Sequence, residues 1–127
     1  MIINIMYKSF VEWLERVREN SPPSASIVAY NFGIFESTDG YIVYLSGSHS
    51  FDPGDDDWTC NRDYIPTEKY FHLPASFSKN KNWQEIQQNV VGLVKEFLAS
   101  PEFAESLLRS SIAITVGFDD GEIERVK

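Results

Sequence analysis

Hydrophobic residues near the start of the chain recur every three or four positions. They are Met6, Phe10, Trp13, Leu14 and Val17. This spacing is typical of an amphipathic helix with one apolar face, and it predicts a helix over roughly residues 4–19. The run Asn20-Ser21-Pro22-Pro23 ends the helix, because proline cannot continue it and disfavours helical geometry in the preceding residue.

The pattern changes to strict alternation after residue 26. Val28, Tyr30, Phe32 and Ile34 share one face of a predicted strand over 27–35. An Asp39-Gly40 turn follows, and the alternation resumes over residues 41–45. We therefore predict an antiparallel hairpin.

Residues 46–66 have no sustained periodicity and contain Gly47, Pro53, Gly54 and a group of aspartates. This composition predicts a long loop, which is uncommon in compact domains and is usually functional or mobile. Residues 69–73 are predicted to form a third strand that ends at Pro74.

The second half of the chain again shows helical spacing. The apolar positions of a predicted second helix are Trp83, Ile86, Val90, Leu93, Val94 and Phe97. Asn82 is suited to cap its start, and Ser100-Pro101 opens a predicted short third helix containing Phe103, Leu107 and Leu108.

The chain finishes with a second alternating segment, in which Ile112, Ile114, Val116 and Phe118 share a face. An Asp119-Asp120-Gly121 turn and a short strand around Ile123 follow. The predicted order is α-β-β-β-α-α-β-β, within one domain over 1–127. Clustered strands favour an α+β fold, with a mainly antiparallel sheet of about five strands and two or three helices on one face.

The net charge of −8 is concentrated in the middle of the chain. Residues 36–68 carry eight acidic residues against Arg62 alone, a net charge of −7, whereas residues 1–35 are neutral and residues 69–127 carry −1. Such a segment repels phosphate backbones and anionic membrane surfaces. We therefore expect a protein or a cation as partner, with no nucleic acid and no membrane.

Cys60 is the only cysteine, which excludes an intramolecular disulfide and a Cys-rich zinc site. No stretch approaches the ~18 apolar residues of a membrane span, and the first residues lack a basic leader, so a cytoplasmic location is expected. The glycines form neither a phosphate-binding loop nor a nucleophile elbow. We predict no cofactor and no catalytic residue.

The aspartates of residues 52–57 could coordinate a hard cation such as calcium. An EF-hand loop starting at Asp52 would have Gly54 and Asp57 where a ligand and a glycine are needed, and one starting at Asp55 would end on Pro66. Both registers fail. A different kind of divalent-cation site, or a metal-dependent enzyme using these aspartates, stays as an alternative, as does a structural subunit of a larger assembly.

The same region combines carboxylates with large aromatic residues, as protein-binding surfaces do. The predicted partner-binding residues are Phe51, Asp52, Asp55, Asp56, Asp57, Trp58, Asp63 and Tyr64. Trp58 suits two hypotheses equally well, since it either anchors a partner or packs the loop into the core.

With an N-terminal helix, an aromatic hairpin, an acidic aromatic loop over 52–64 and helices before a final hairpin, the chain resembles the small acidic immunity proteins of bacterial polymorphic-toxin systems. The resemblance implies a cytoplasmic, non-enzymatic inhibitor. Such a protein binds a toxin domain, often a cationic nuclease, and covers its active site with carboxylates and aromatic side chains.

Overall fold

The computed structural model describes the backbone of residues 2–127 and the side chains from Ile5 onward. The first element is helix α1, Ile2–Asn20. All five of its predicted apolar positions are buried. The Trp13 indole N–H donates to the carbonyl oxygen of Glu68 over 2.9 Å, which ties the helix to the segment before the third strand.

Strands β1, Ala29–Ser37, and β2, Gly40–Ser48, form the predicted antiparallel hairpin. Ser37 pairs with Gly40, so Thr38 and Asp39 make a two-residue turn. Gly40 has a φ of 138°, a backbone conformation that residues with a side chain adopt only under strain. This explains why a glycine follows Asp39.

The remaining elements are strand β3, Tyr70–His72, helix α2, Ala75–Ser78, helix α3, Trp83–Leu98, strand β4, Ala113–Phe118, and strand β5, Glu124–Arg125. Two short 3-10 helices cover Asp56–Cys60 and Pro101–Glu105. The strands form one sheet in the order β3-β2-β1-β4-β5. The β1–β4 pair is parallel and the other pairs are antiparallel, which confirms the predicted α+β class.

The main core lies between the sheet and helices α1 and α3. Because side chains alternate along a strand, Tyr30, Phe32 and Ile34 of β1 point to this face. The Phe10 ring lies at its centre and contacts the rings of Trp13, Phe32, Phe71 and Phe97 at centroid distances between 5.5 and 6.4 Å.

The predicted third helix is reduced to the 3-10 helix Pro101–Glu105, and Leu107 and Leu108 are buried in the turns that follow it. The hydroxyls of Ser106 and Ser111 donate to the carbonyls of Phe103 and Leu108 over 2.8 and 2.7 Å. Such local hydrogen bonds compete with helix formation, which explains why the helix stops early. Helix α2 was not predicted, since it forms a single turn around the buried Phe77.

None of the helices in residues 2–127 combines the length and the hydropathy needed to cross a bilayer.

Candidate functional site

Residues 49–66 form most of the connection between β2 and β3, carry the predicted site and are called the acidic loop. Its turns are fixed by its own carboxylates. Asp52 accepts a hydrogen bond from the Gly54 N–H over 2.9 Å, and Asp55 accepts one from the Asp57 N–H over 2.9 Å, which caps the 3-10 helix Asp56–Cys60. Aspartate side chains commonly stabilise turns in this way, so the aspartates shape the loop as well as charging it.

Trp58 fixes the acidic loop against the sheet. Its side chain is 5% exposed and packs with Ala29 and Ala113, on the sheet face opposite α1 and α3. These two alanines are paired neighbours on β1 and β4, and their small side chains leave room for the indole. Phe51 meets the Trp58 ring edge-on at 5.4 Å. Of the two hypotheses for Trp58, the structure supports packing into the core.

Tyr64 anchors the other end of the acidic loop. Its backbone exchanges two hydrogen bonds with Gly47, over 2.9 and 3.1 Å, and its hydroxyl donates to the Ser21 carbonyl over 2.6 Å. The ring packs edge-on against Tyr30, and burial raises the pKa of Tyr64 to about 12. Tyr64 therefore belongs to the core and ties the loop to the end of α1.

Asp63 closes the base of the loop. Its Oδ2 atom accepts a hydrogen bond from the His49 N–H over 2.9 Å. The Asn61 side-chain amide donates to the Ser50 hydroxyl over 3.3 Å between the same two stretches. The acidic loop is thus held by Trp58 in its middle and by Asn61, Asp63 and Tyr64 near the point where it returns to the sheet.

The carboxylates at the tip of the loop remain at the surface. Asp52, Asp55, Asp56 and Asp57 are exposed, and Asp52 and Asp56 line a small groove of about 230 Å³ together with Phe51 and Arg125. Phe51 is partly buried, and the Arg125 guanidinium lies 4.8 Å from the centre of its ring. Of the eight predicted residues, four aspartates therefore form an exposed tip, and Trp58 and Tyr64 are buried anchors. Phe51 is partly buried beside the tip, and Asp63 lies at the base.

Ion pairs within residues 5–127 join Arg16 to Glu68 at 2.8 Å and Lys95 to Glu124 at 3.9 Å. Neither includes an aspartate of the acidic loop. The Arg16 guanidinium lowers the pKa of Glu68 by hydrogen bonding to its carboxylate. Among the described residues, no group of three or more His, Cys, Asp or Glu side chains is arranged to hold a metal ion.

A second surface feature lies where β1 and β4 end, and it is called the aromatic groove. It has a volume of about 600 Å³, with walls that include Tyr41, Trp83 and Phe118. Glu36, Asp119 and Asp120 line the same groove. Aromatic and acidic side chains therefore occur together here at the surface.

A smaller groove of about 300 Å³ adjoins the aromatic groove and shares Phe35 and Asp119 with it. Tyr44 crosses its floor above Gly33, donates its hydroxyl hydrogen to Asp119, and has the Arg62 guanidinium 5.3 Å from its ring centre. Burial, followed by the hydrogen bond to Asp119, raises the pKa of Tyr44 well above its usual value.

Sequence reasoning missed the aromatic groove because it placed Trp83 on the apolar stripe of α3. Trp83 is instead 53% exposed, since it is the first residue of the helix, directly after the Asn82 cap. The available indications were the Trp at a helix start and the Asp119-Asp120-Gly121 turn. They meet only in the folded protein, where the Trp83 ring packs against Phe118, directly before the turn.

No family model matches the chain, and searches of curated proteins and of solved structures found no significant match.

Proposed function

We propose that the protein is a non-enzymatic inhibitor that binds a cationic protein through the tip of the acidic loop. The proposal extends to an immunity protein that neutralises a toxin domain in the cytoplasm. The observation that supports it best is the exposure of Asp52, Asp55, Asp56 and Asp57 on a loop whose aromatic residues are anchored in the core.

Anchoring matters because a flexible loop must lose conformational freedom when it binds. The burial of Trp58 and Tyr64 means that this loss has already occurred during folding. A preorganised loop binds more tightly than a flexible one with the same contacts. The aspartates are therefore presented to a partner in a fixed arrangement.

Unpaired surface carboxylates act mainly on the rate of association. Complementary charge can raise association rates by 10- to 1,000-fold, roughly, and salt screens this effect. Because the central segment carries a charge of −7, we expect rapid binding at low salt. Contacts around the loop would then decide which cationic protein is bound.

The test is to express the chain together with the protein encoded beside its gene, and to measure growth protection and binding kinetics. The variant Asp55→Asn/Asp56→Asn/Asp57→Asn should lower the association rate about tenfold at low salt, with the difference disappearing near ~1 M salt. Asparagine still accepts the capping hydrogen bond, so the fold should be kept.

The matched control changes the same amount of charge elsewhere. Glu12, Glu15 and Glu19 are exposed on α1, and their combined change to glutamine should leave the association rate near that of the native chain. Equal rates for the native chain and the loop variant at low salt would contradict the proposal. So would the absence of both binding and protection.

A further inference from the structure

We propose that the aromatic groove binds an arginine side chain presented by a segment of a partner protein. This inference does not depend on the function proposed for the acidic loop. The loop packs at Ala29 and Ala113, whereas the groove lies beyond Ile34 and Phe118, at the other ends of the same two strands. The two surfaces can therefore be altered separately.

The walls of the groove form a continuous aromatic row. Phe118 meets Tyr41 edge-on at 5.9 Å and meets Trp83 edge-on at 6.0 Å. These contacts hold the rings in place while Trp83 stays 53% exposed. An exposed tryptophan beside other fixed rings is the kind of residue on which binding energy concentrates.

The charge around the groove selects a cation. Glu36, Asp119 and Asp120 are exposed at its edge, and no basic residue lines it within the described chain. At the start of α3, Asn82 and Glu85 form a capping box that satisfies the N–H groups of these two residues and places a further carboxylate there. A cation over the ring faces would be attracted both by the rings and by the carboxylates.

Arginine fits this combination better than lysine does. Its planar guanidinium stacks on aromatic rings and donates paired hydrogen bonds to a carboxylate, whereas an ammonium group is a compact, strongly hydrated charge. Stacking beside Trp83 while donating to Asp119 or Asp120 would use both properties.

The shape of the site favours a polypeptide over a small molecule. The groove of about 600 Å³ is larger than one guanidinium needs, and it continues at Phe35 and Asp119 into the neighbouring groove of about 300 Å³. Arg62 and Lys69 line that second groove, so a cation is favoured only in the aromatic groove. Beside them lie Ile65 and Tyr70, which are 46% and 40% exposed. An extended segment with its arginine at Trp83 would cover these apolar side chains as well.

The test is an NMR titration of the ¹⁵N-labelled full chain with the peptide acetyl-Gly-Arg-Gly-amide. The indole N–H signal of Trp83 and the backbone signals of residues 119–121 should shift. The indole signals of Trp13 and Trp58 should stay in place, because both side chains are buried. A matched peptide with citrulline, the uncharged isostere of arginine, should bind at least about fivefold more weakly.

Variants separate the groove from the acidic loop. Trp83→Ala and Asp119→Asn/Asp120→Asn should each weaken peptide binding by about fivefold or more. Asp55→Asn/Asp56→Asn/Asp57→Asn should leave it unchanged. The proposal is overturned by equal binding of the citrulline peptide, by shifts confined to the acidic loop, or by no shift up to about 10 mM peptide.

Discussion

Trp58 and Trp83 are chemically identical residues with opposite environments. Trp58 is 5% exposed and holds the acidic loop against two alanines, whereas Trp83 is 53% exposed at the start of α3. Trp58 should therefore matter mainly for stability, and Trp83 mainly for binding.

Changing Trp58 to alanine should lower the free energy of unfolding by about 3–5 kcal/mol, because it leaves a cavity on the sheet face beside Ala29 and Ala113. Urea denaturation followed by circular dichroism measures this loss. Trp83→Ala is the control and should cost about 1 kcal/mol or less. Equal losses in the two variants would show that Trp58 does not anchor the loop.

The same pair of residues shows what the sequence can reveal. Helical spacing correctly predicted the buried stripe of α3 from Ile86 to Phe97, but it also included Trp83. Spacing alone cannot show that Trp83, as the first residue of the helix, is exposed. The burial of Trp58 depends on two alanines from distant strands. Local patterns therefore predicted the elements, whereas contacts between strands far apart in the sequence decided which aromatic residues are exposed.

At the scale of elements, the strongest local indications gave the most accurate predictions. Asn82 caps the start of α3, and the turn that contains Asp39 leads into β2, both as predicted. The third helix was overestimated because Ser106 and Ser111 bond to the backbone within short turns. The position of each strand in the sheet has no local cause and could not be predicted.

Two glycines in regular elements should respond oppositely to substitution by alanine. In α3, a Cβ atom at Gly92 would meet nothing within 4 Å, so Gly92→Ala should stabilise the protein by about 0.5–1 kcal/mol. In β1, a Cβ atom at Gly33 would overlap the Tyr44 ring. Gly33→Ala should therefore displace that ring and destabilise the protein by about 1–3 kcal/mol.

Denaturation midpoints of the two variants measure these effects. A stabilised Gly33→Ala variant would mean that Tyr44 moves freely and does not close the floor of its groove. Loss of the Tyr44–Asp119 hydrogen bond in that variant should also lower the pKa of Tyr44 towards its ordinary value, which ultraviolet titration can follow.

For the molecule as a whole, alkaline pH should be destabilising. Burial raises the pKa of Tyr30, Tyr44 and Tyr64 in the folded state, and that of Tyr64 reaches about 12. In the unfolded chain these groups have a pKa of about 10. Their contribution to stability is therefore complete below about pH 10 and is lost as the pH rises towards the folded values.

Urea denaturation at a series of pH values checks this expectation. Between about pH 10 and 12, Tyr64 alone should lower the free energy of unfolding by up to about 1.4 kcal/mol per pH unit. Tyr64→Phe removes that titration, so its stability should fall less steeply with pH. Identical slopes for the variant and the native chain would show that the pKa of Tyr64 is not raised in the folded protein.

The parallel pairing of β1 with β4 also has a consequence for synthesis on the ribosome. Strand β1 leaves the ribosome shortly before its partner β2, but its other neighbour lies at residues 113–118. Until those residues emerge, one hydrogen-bonding edge of a strongly apolar strand has no partner, and such edges promote aggregation. The nascent chain therefore has to protect this edge until residues 113–118 have emerged, and the sheet is complete only when β4 pairs with β1 and β5 pairs with β4.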